Sequence, residues 1–282
     1  MSTSTITTTS TTPTTTRREL FKTTASLGAA TSAALLGACA TAQSASGFAG
    51  NPIFNVPTTT VPIVGTSSTF PVRRIYCIGR NYRAHAIEMG SNPDREPPFF
   101  FQKPTDAIQF VAPNTVADHT YPTLTKNYHY EVELVACLNK GTGGKKIDIA
   151  QALDLVYGYA LGLDMTRRDL QRALGDEKKP WEIGKSFDQS APIGPIHPVS
   201  SIGHIGKAAI WLKVNGATKQ NANLSQMIWS VAEQISKLSE AFELKAGDII
   251  YSGTPENVGP VVRGDVIDCH IDGLPNLSIK IV

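Results

Sequence analysis

The stretch from Tyr128 to Leu138 restricts the fold of this chain more than any other. It is rich in residues that favour β-strands, and two of its residues, Glu131 and Glu133, are acidic and two positions apart. Because side chains alternate faces along a strand, both carboxylates are predicted to lie on one face, opposite apolar side chains. Such a pair is typical either of the solvated face of an antiparallel strand or of a site for a hard cation.

An acidic residue after a second apolar run favours the cation site. The run from Val156 to Leu163 is predicted to be a buried strand, and Asp164 follows it directly. Three carboxylates without a softer ligand suit Mg²⁺, Mn²⁺ or Ca²⁺, all of which prefer oxygen ligands. We therefore predict that Glu131, Glu133 and Asp164 bind one divalent cation together.

Length and charge limit the number of domains and the class of partner. The 282 residues, of which 41% are hydrophobic, are enough for one core and few for two full-sized domains. The formal net charge is +2 and the basic residues are scattered along the chain. There is therefore no electrostatic argument for a nucleic-acid partner.

Residues 1–45 are predicted to be an export signal peptide outside the fold. Arg17-Arg18 stands just before Leu20-Phe21-Lys22, and an uncharged, alanine-rich stretch from Thr23 to Ala42 follows. A basic region before an apolar one is typical of export signals, and the paired arginines resemble the twin-arginine type. The protein is therefore expected in the periplasm, or in the cytoplasm if this stretch is only a threonine-rich tail.

The end of the predicted signal fits two kinds of processing. Leu36-Gly37-Ala38-Cys39 resembles a lipobox, in which Cys39 would be acylated and would anchor the protein to lipid. Residues 38–40 and 40–42 instead fit ordinary signal cleavage. The sequence does not decide between a lipid anchor at Cys39 and an unanchored mature protein.

Residues 46–71 are predicted to be a linker, and residues 72–282 the folded catalytic domain. The linker is rich in Ser, Thr, Gly and Pro, with a few apolar residues that can lay an extended edge onto the domain. Within the domain, Cys77, Cys137 and Cys269 are odd in number and lack metal-ligand spacing. They are predicted to be core residues and not a disulfide framework.

A helix from Arg80 to Gly90 carries the first candidate catalytic pair. His85 and Glu88 are three positions apart, so on a helix the carboxylate can orient the imidazole and raise its basicity. The polar, proline-rich loop from Ser91 to Pro98 follows, which would let the helix act as a lid. The alternative is an exposed helix with two polar residues.

Two later segments are predicted to support the fold and the site. Asn223 is expected to cap an amphipathic helix whose apolar stripe runs from Leu224 to Leu238 and packs in the core. The glycine-bracketed loop from Ser252 to Gly259 can offer N–H groups and the Thr254 hydroxyl to an anion, although it also fits a plain turn.

Five segments that occur in order between Val72 and Val282 resemble the fumarylacetoacetate hydrolase family. The segments are Gly79-Arg80-Asn81-Tyr82 with His85 and Glu88, Tyr130-Glu131-Val132-Glu133-Leu134, Leu163-Asp164-Met165-Thr166-Arg167-Arg168-Asp169-Leu170-Gln171, Lys185-Ser186-Phe187-Asp188, and Gly253-Thr254-Pro255 with Val258-Gly259. The region from Phe70 to Gln109 is similar to the bacterial members that act on fumarylpyruvate during the breakdown of aromatic acids.

The resemblance implies a fold, an assembly and a metal. The implied fold class is α+β, mainly β: a mixed β-sandwich roll with flanking helices, usually assembled as a homodimer. The predicted carboxylate site would then bind Mg²⁺ or Mn²⁺, with Ca²⁺ as a further candidate. By similarity, Arg80, Gln171 and Thr254 would hold the oxygens of the substrate.

The resemblance also implies a reaction, the hydrolysis of a carbon–carbon bond in a 2,4-dioxo acid, with fumarylpyruvate giving fumarate and pyruvate. His85, oriented by Glu88, would be the general base for the attacking water. The metal and Lys185 would stabilise the negative charge of the pyruvate enolate as it forms.

Other activities use the same groups. Oxaloacetate decarboxylation, cleavage of other acylpyruvates and isomerisation of a related dioxo acid would each need the metal and Lys185. A protein without enzymatic activity could instead be exported only to bind 2-oxo acids. The presence of both His85 and Glu88 favours an enzyme over such a binding protein. The predicted export signal departs from the family's cytoplasmic pathway enzymes and leaves the physiological substrate open.

Overall fold

The computed structural model describes residues 51–94 and 96–282. The predicted export signal, with Arg17, Arg18 and Cys39, lies outside the described residues, as do residues 46–50 of the predicted linker. Phe54–Val282 forms one compact unit. In the part of the chain that the structure describes, no helix has the length and apolar character needed to cross a membrane.

Short strands make up most of the secondary structure. The strands are β1 (Thr60–Pro62), β2 (Thr69–Pro71), β3 (Arg74–Ile78), β4 (Phe100–Lys103), β5 (Ile108–Phe110), β6 (Val116–His119), β7 (Tyr128–Tyr130), β8 (Val132–Leu138), β9 (Val156–Leu163), β10 (Thr166–Arg167), β11 (Ala191–Ile193), β12 (His197–Pro198), β13 (Ala209–Val214), β14 (Ala217–Asn223), β15 (Asp248–Tyr251), β16 (Gly259–Val261), β17 (Val266–Ile271) and β18 (Leu277–Ile281).

Helices are few and mostly short. The α-helices are α1 (Arg83–Glu88), α2 (Ile149–Ala152), α3 (Arg168–Asp176), α4 (Glu182–Lys185), α5 (Val199–Ile202) and α6 (Val231–Ala241). Three 3₁₀ helices cover Thr105–Ala107, Leu153–Leu155 and Leu224–Gln226.

Two large sheets pack face to face around the main core. The larger sheet has the order β4-β3-β15-β8-β9-β11-β5, with β12 also paired to β9, and the second has the order β14-β13-β17-β18-β6. The larger sheet is mixed, because β15 runs parallel to β3 and antiparallel to β8. One continuous core cluster joins Leu134 of β8 to Leu212 of β13 and Ile279 of β18. The predicted α+β fold, a mixed β-sandwich roll with flanking helices, is confirmed.

The central strand of the larger sheet is buried on both faces. Leu134 and Ala136 of β8 face the main core, while Val135 and Cys137 face a second cluster that includes Ile75 and Ile249. No face of β8 is in contact with solvent, so the interpretation of Glu131 and Glu133 as a solvated pair is wrong.

The predicted strand from Tyr128 to Leu138 is in fact two strands. It is interrupted at Glu131, where the chain leaves β7, which pairs with β10 and β16, and enters β8 of the larger sheet. The change of sheet turns the backbone at the residue that carries the first carboxylate. Local β-propensity contains no signal for this change, because both halves favour strands.

The later part of the predicted linker packs onto the domain. β1 and β2 form an antiparallel pair, with Val61 opposite Phe70, and both side chains are buried in the second cluster. Ile63 also bridges to Ile196. Residues 60–71 therefore form an edge of the domain.

The amphipathic helix begins later than predicted. Asn223 caps only the 3₁₀ helix Leu224–Gln226, and Ser230 caps α6. The backbone between the two helices bonds elsewhere, because Ile228 N–H donates to the carbonyl oxygen of Asn81 at 2.7 Å. The apolar stripe is nevertheless core, since Leu224, Ile235 and Leu238 are buried. Cys77, Cys137 and Cys269 are buried free thiols, as predicted.

Candidate metal and active site

The pairing of β8 with β9 brings the three predicted metal ligands together. Glu133 lies opposite Gly162 in the register of the two strands, and Asp164 N–H donates to the Glu131 carbonyl oxygen at 2.9 Å just beyond their ends. One carboxylate oxygen of each of Glu131, Glu133 and Asp164 lies within 4.8 Å of the others. Their side chains are buried, with exposed fractions of 4%, 1% and 1%.

Two of the three carboxylates are neutralised by buried cations. Lys185 Nζ donates to Glu131 Oε2 at 2.7 Å, to Asp164 Oδ2 at 2.8 Å and to the Thr166 hydroxyl at 2.7 Å, which uses all three of its N–H groups. Lys103 Nζ lies 2.9 Å from Asp164 Oδ1. The Arg168 guanidinium donates to Glu131 Oε1.

Among the described residues, Glu133 forms no ion pair with a buried cation, and its pKa is shifted in the opposite direction to that of Glu131. Burial, together with the charges of Asp164 and Glu131, raises the pKa of Glu133 well above its usual range. Burial would also raise the pKa of Glu131, but the Lys185 and Arg168 charges outweigh it and hold that pKa below its usual range. A negative charge on Glu133 would therefore lack the compensating cation that Glu131 and Asp164 have.

The donor set fits a hard divalent cation. Within residues 51–94 and 96–282, buried Asp164 Oδ1 accepts no hydrogen bond, because its ion pair with Lys103 Nζ lacks hydrogen-bond geometry, and Glu133 is in no ion pair. The available donors are carboxylate oxygens, which suit Mg²⁺, Mn²⁺ and Ca²⁺. A cation at this position would add the positive charge that Glu133 lacks.

The Ser252–Gly259 loop fixes the orientation of Glu133. Gly253 N–H donates to Glu133 Oε2 at 2.8 Å. Gly253 has φ +97°, and a Cβ on it would lie 2.5 Å from the Cβ of Asn81, so both conformation and space require glycine. The Thr254 hydroxyl accepts a hydrogen bond from Gln220 Nε2 at 2.9 Å and lies in the same cavity as the carboxylates.

α1 places the predicted catalytic pair against this cavity. His85 Nδ1 lies 2.9 Å from Glu88 Oε2, and Glu88 Oε1 accepts from Asn257 N–H at 3.2 Å. His85 is only 4% exposed although α1 exposes four of its six residues, so the imidazole is not a polar group on the exposed face of the helix. α1 is shorter than the predicted Arg80–Gly90 helix. Arg80 has φ +57°, which does not occur in a right-handed helix, and Tyr82 is extended, so the helix begins at Arg83. Movement of α1 as a lid stays a prediction.

Arg80 stands at the mouth of the cavity. Its guanidinium carbon lies 5.7 Å from the ring centre of Phe99 and 5.9 Å from that of Trp181, and it bonds to the Ser91 hydroxyl. Arg80 Nε is buried and has no hydrogen-bond partner among the described residues. This N–H is available to an anion that enters the cavity.

Eight of the nine predicted site residues line one cavity, and Glu88 reaches it through His85. The cavity volume is about 20 Å³, which is room for an ion or a water, so a larger ligand would extend into the adjoining space beside Arg80, Gln171 and Trp181. The lining residues are Ile78, Gly79, Arg80, His85, Met89, Phe101, Glu131, Glu133, Asp164, Arg168, Gln171, Trp181, Lys185 and Thr254.

Comparison with known protein families decides the identity of this fold. The model of the fumarylacetoacetate (FAA) hydrolase C-terminal domain matches residues 74–282. The chain belongs to the fumarylacetoacetate hydrolase family.

Relatives within the family include both hydrolases and decarboxylases. Fumarylpyruvate hydrolase of a Ralstonia species is 43% identical over 196 residues, which are 68% of this chain and 98% of the relative. Mitochondrial oxaloacetate decarboxylase of Dictyostelium discoideum is 40% identical over 204 residues, 72% of this chain and 90% of the relative. A crystal structure of fumarylpyruvate hydrolase from Pseudomonas aeruginosa in complex with Mn²⁺ and pyruvate is 53% identical, with a TM-score of 0.80, covering 82% of this chain and 99% of that one.

Sequence reasoning missed two cations of this family site. Lys103 is 3% exposed and Arg168 is 1% exposed, and both contact the carboxylates. The signal for Lys103 was its place at the end of the apolar strand Phe99-Phe100-Phe101, where a charge must find a buried partner. Arg168 stands within the matching segment after Asp164, but its sequence position does not reveal that it bonds to Glu131.

Proposed function

We propose that this chain is a metal-dependent hydrolase that cleaves fumarylpyruvate into fumarate and pyruvate. The observation that carries the proposal is one cavity lined both by a carboxylate triad suited to a divalent cation and by His85, which is bonded to Glu88. The relative from Pseudomonas aeruginosa, 53% identical, bears this activity in its name and was crystallised with Mn²⁺ and pyruvate. Pyruvate is one of the two products of the proposed reaction.

The triad and its neighbours hold the charges in place. Glu131, Glu133 and Asp164 would bind Mg²⁺ or Mn²⁺, which supplies Lewis-acid stabilisation of negative charge on the 2-oxo acid. The three N–H groups of Lys185 donate to acceptors of the protein itself, so its direct role is to hold Glu131 and Asp164 in position. Its charge still stabilises negative charge that develops in the cavity.

His85 is the proposed general base. Because Glu88 occupies Nδ1, the proton of the neutral ring sits there and Nε2 is left to accept a proton. Nε2 takes a proton from the water that attacks the C4 carbonyl of the dioxo acid, and a carbon–oxygen bond forms. The C3–C4 bond then breaks, its electron pair forms the enolate of pyruvate, and the proton returns to C3.

Arg80, Gln171 and Thr254 are proposed to hold the substrate's oxygens. All three line the cavity with the triad. Arg80 offers the unpartnered Nε–H, and Gln171 is fixed because its amide oxygen accepts from Arg168. These polar groups would orient the 2-oxo acid end before water attacks.

A coupled assay tests the proposal directly. The purified protein is incubated with fumarylpyruvate and Mg²⁺ or Mn²⁺, and pyruvate is measured through lactate dehydrogenase while fumarate is measured separately. Equal amounts of both products, lost on treatment with a chelator and restored by the metal, are expected. Formation of pyruvate without fumarate, or no turnover of fumarylpyruvate at all, would contradict the proposal.

Decarboxylation of oxaloacetate is the second candidate. The relative from Dictyostelium discoideum that carries this name is 40% identical. Oxaloacetate offers the same 2-oxo acid end and also gives a pyruvate enolate, but the reaction needs no attacking water. A higher kcat/KM for oxaloacetate than for fumarylpyruvate, with carbon dioxide as co-product, would favour this candidate.

Export through Arg17-Arg18 is a separate proposal. Replacing both residues by lysine should keep the protein in the cytoplasm, because the twin-arginine signal is read as arginines and not as positive charge. Cell fractionation with the unchanged leader as control measures the result. Unchanged periplasmic recovery of the variant would exclude the signal, while labelling by a fatty acid that depends on Cys39 would establish a lipid anchor. Assembly as a homodimer also stays a prediction, and light scattering of the purified protein would test it by measuring the mass of the particle.

A further inference from the structure

A larger cavity adjoins the candidate active site. Its volume is about 740 Å³, and Arg80, Gln171 and Trp181 line both it and the inner cavity. We call this larger cavity the vestibule, and its polar wall is formed by Arg80, Arg172, Lys178 and Lys179 with Glu88 and Asp176. A substrate arm that leaves the inner cavity at Arg80 and Gln171 would enter the vestibule.

The vestibule has an excess of positive charge. The side chains that line the vestibule include four cations and two carboxylates. One of these carboxylates, Glu88, is already bonded to His85 and to Asn257 N–H. Lys179 is paired with Glu177 at 2.5 Å. Arg172 and Lys178, by contrast, form no ion pair with any residue in the described part of the chain. These two side chains are thus available to an anion, and Asp176 is the one unpaired carboxylate among the described residues that line the vestibule.

Helix α3 connects the two cavities through one face. Arg168 and Gln171 contact the inner cavity, and Arg172 and Asp176 contact the vestibule. These positions follow the spacing that places side chains on one side of a helix. The rise of an α-helix separates the Cα atoms of Arg168 and Arg172 by roughly 6 Å along its axis. The face therefore presents cations at two depths from the carboxylate triad.

We propose that Arg172 and Lys178 bind a second carboxylate at the far end of the substrate's acyl arm, with Arg80 between the two ends. The proposal rests on the proposed function, because it takes the inner cavity as the site of the 2-oxo acid end. In fumarylpyruvate five carbon–carbon bonds separate the 2-oxo carbon from the distal carboxylate carbon, a contour length of roughly 7–8 Å at about 1.5 Å per bond. That span matches the offset between the two cation positions on α3.

The subsite makes the chain selective for dicarboxylates of sufficient length. A charge-assisted hydrogen bond to Arg172 or Lys178 contributes binding that an acylpyruvate with a neutral tail, such as acetylpyruvate, lacks. Oxaloacetate gains nothing from the subsite, because its second carboxylate is only two carbon–carbon bonds from the 2-oxo carbon. Arg172 and Lys178 are therefore specificity-determining residues and take no part in proton transfer.

A pair of uncleavable acids of equal length tests the subsite by binding alone. 2-Oxoheptanedioate carries the distal carboxylate at the same number of bonds as fumarylpyruvate and 2-oxoheptanoate lacks it, and neither has a 4-oxo group to be attacked. Calorimetry with the Mn²⁺-loaded protein should give about tenfold tighter binding of the dicarboxylate, and Arg172→Gln with Lys178→Gln should remove this preference. Lys219→Gln, an exposed lysine on β14 away from the vestibule, is the control and should keep the preference.

Kinetics separates the failure of the subsite from the failure of the proposed function. The double variant should raise KM for fumarylpyruvate about tenfold with little change in kcat, and should leave acetylpyruvate turnover unchanged. Equal affinity of the wild-type protein for the two uncleavable acids would overturn the subsite even if fumarylpyruvate is hydrolysed. A tenfold preference with no hydrolysis would overturn the proposed function and retain the subsite, and binding of neither acid would overturn both.

Discussion

Glu133→Gln is expected to remove Mn²⁺ binding while the protein keeps its fold. Glutamine has the shape of glutamate and can still accept the Gly253 N–H bond, but it lacks the charge that a divalent cation requires. Because burial and neighbouring carboxylates raise the pKa of Glu133, its neutral form is already favoured in the metal-free protein. A neutral side chain at this position therefore costs the metal-free fold little.

Calorimetric titration with Mn²⁺ and thermal unfolding without metal measure the two halves of this prediction. Affinity should fall by more than about 100-fold, since loss of even an outer partner of a metal ligand costs 10–100-fold. Glu131→Gln is the matched comparison. It removes the partner of both Lys185 and Arg168, so it should also lower the Tm of the metal-free protein. Undiminished Mn²⁺ affinity in Glu133→Gln would exclude the triad as the metal site.

The metal triad could be predicted because it depends on short-range regularities. Alternation along a strand placed Glu133 on one face, and the end of an apolar run placed Asp164 at a strand terminus. The pairing of β8 with β9 then brings the two together, as neighbouring strands in a sequence commonly do. Glu131 reached the same site for a different reason than predicted, because the chain changes sheets at that residue.

The cations of the site could not be predicted in the same way. Lys103 lies 61 positions before Asp164 in the sequence and contacts it although three strands separate β4 from β9 in the order of the sheet. Lys185 is in the short helix α4, and its bonds to Glu131 and Asp164 depend on how that helix packs beside β10. Such contacts are set by tertiary packing, for which local composition contains no signal.

The helix predictions show a similar division. The apolar stripe identified the residues of α6 that enter the core, because burial follows the helical period. The start of α6 was placed too early, since Asn223 has a capping sequence and the competing bond from Ile228 to Asn81 is distant in sequence. The vestibule is likewise invisible from sequence, because it forms where α3 faces Arg80 and Trp181.

His85→Ala is expected to lower kcat by roughly 10²–10⁴-fold, the usual contribution of a positioned general base. KM should change little, because on the proposed function the bound metal and the polar groups around it, and not the imidazole, would hold the 2-oxo acid. The Mn²⁺ affinity should also be unchanged, because His85 is not one of the three predicted metal ligands. The Ala variant leaves Glu88 with its bond to Asn257 N–H, so the loop beside the site keeps one of its supports.

Two further variants separate general-base catalysis from a structural effect. Glu88→Gln should lower kcat less than His85→Ala, because the imidazole remains and loses only the charge that orients it. His270→Ala, at a partly exposed histidine on β17 bonded to Asp272 and Asn276, is the control and should leave kcat unchanged. Added imidazole should restore part of the activity of His85→Ala. If His85→Ala turns over near the wild-type rate, water is activated by another group, and the His85–Glu88 pair serves only to pack α1 against the cavity.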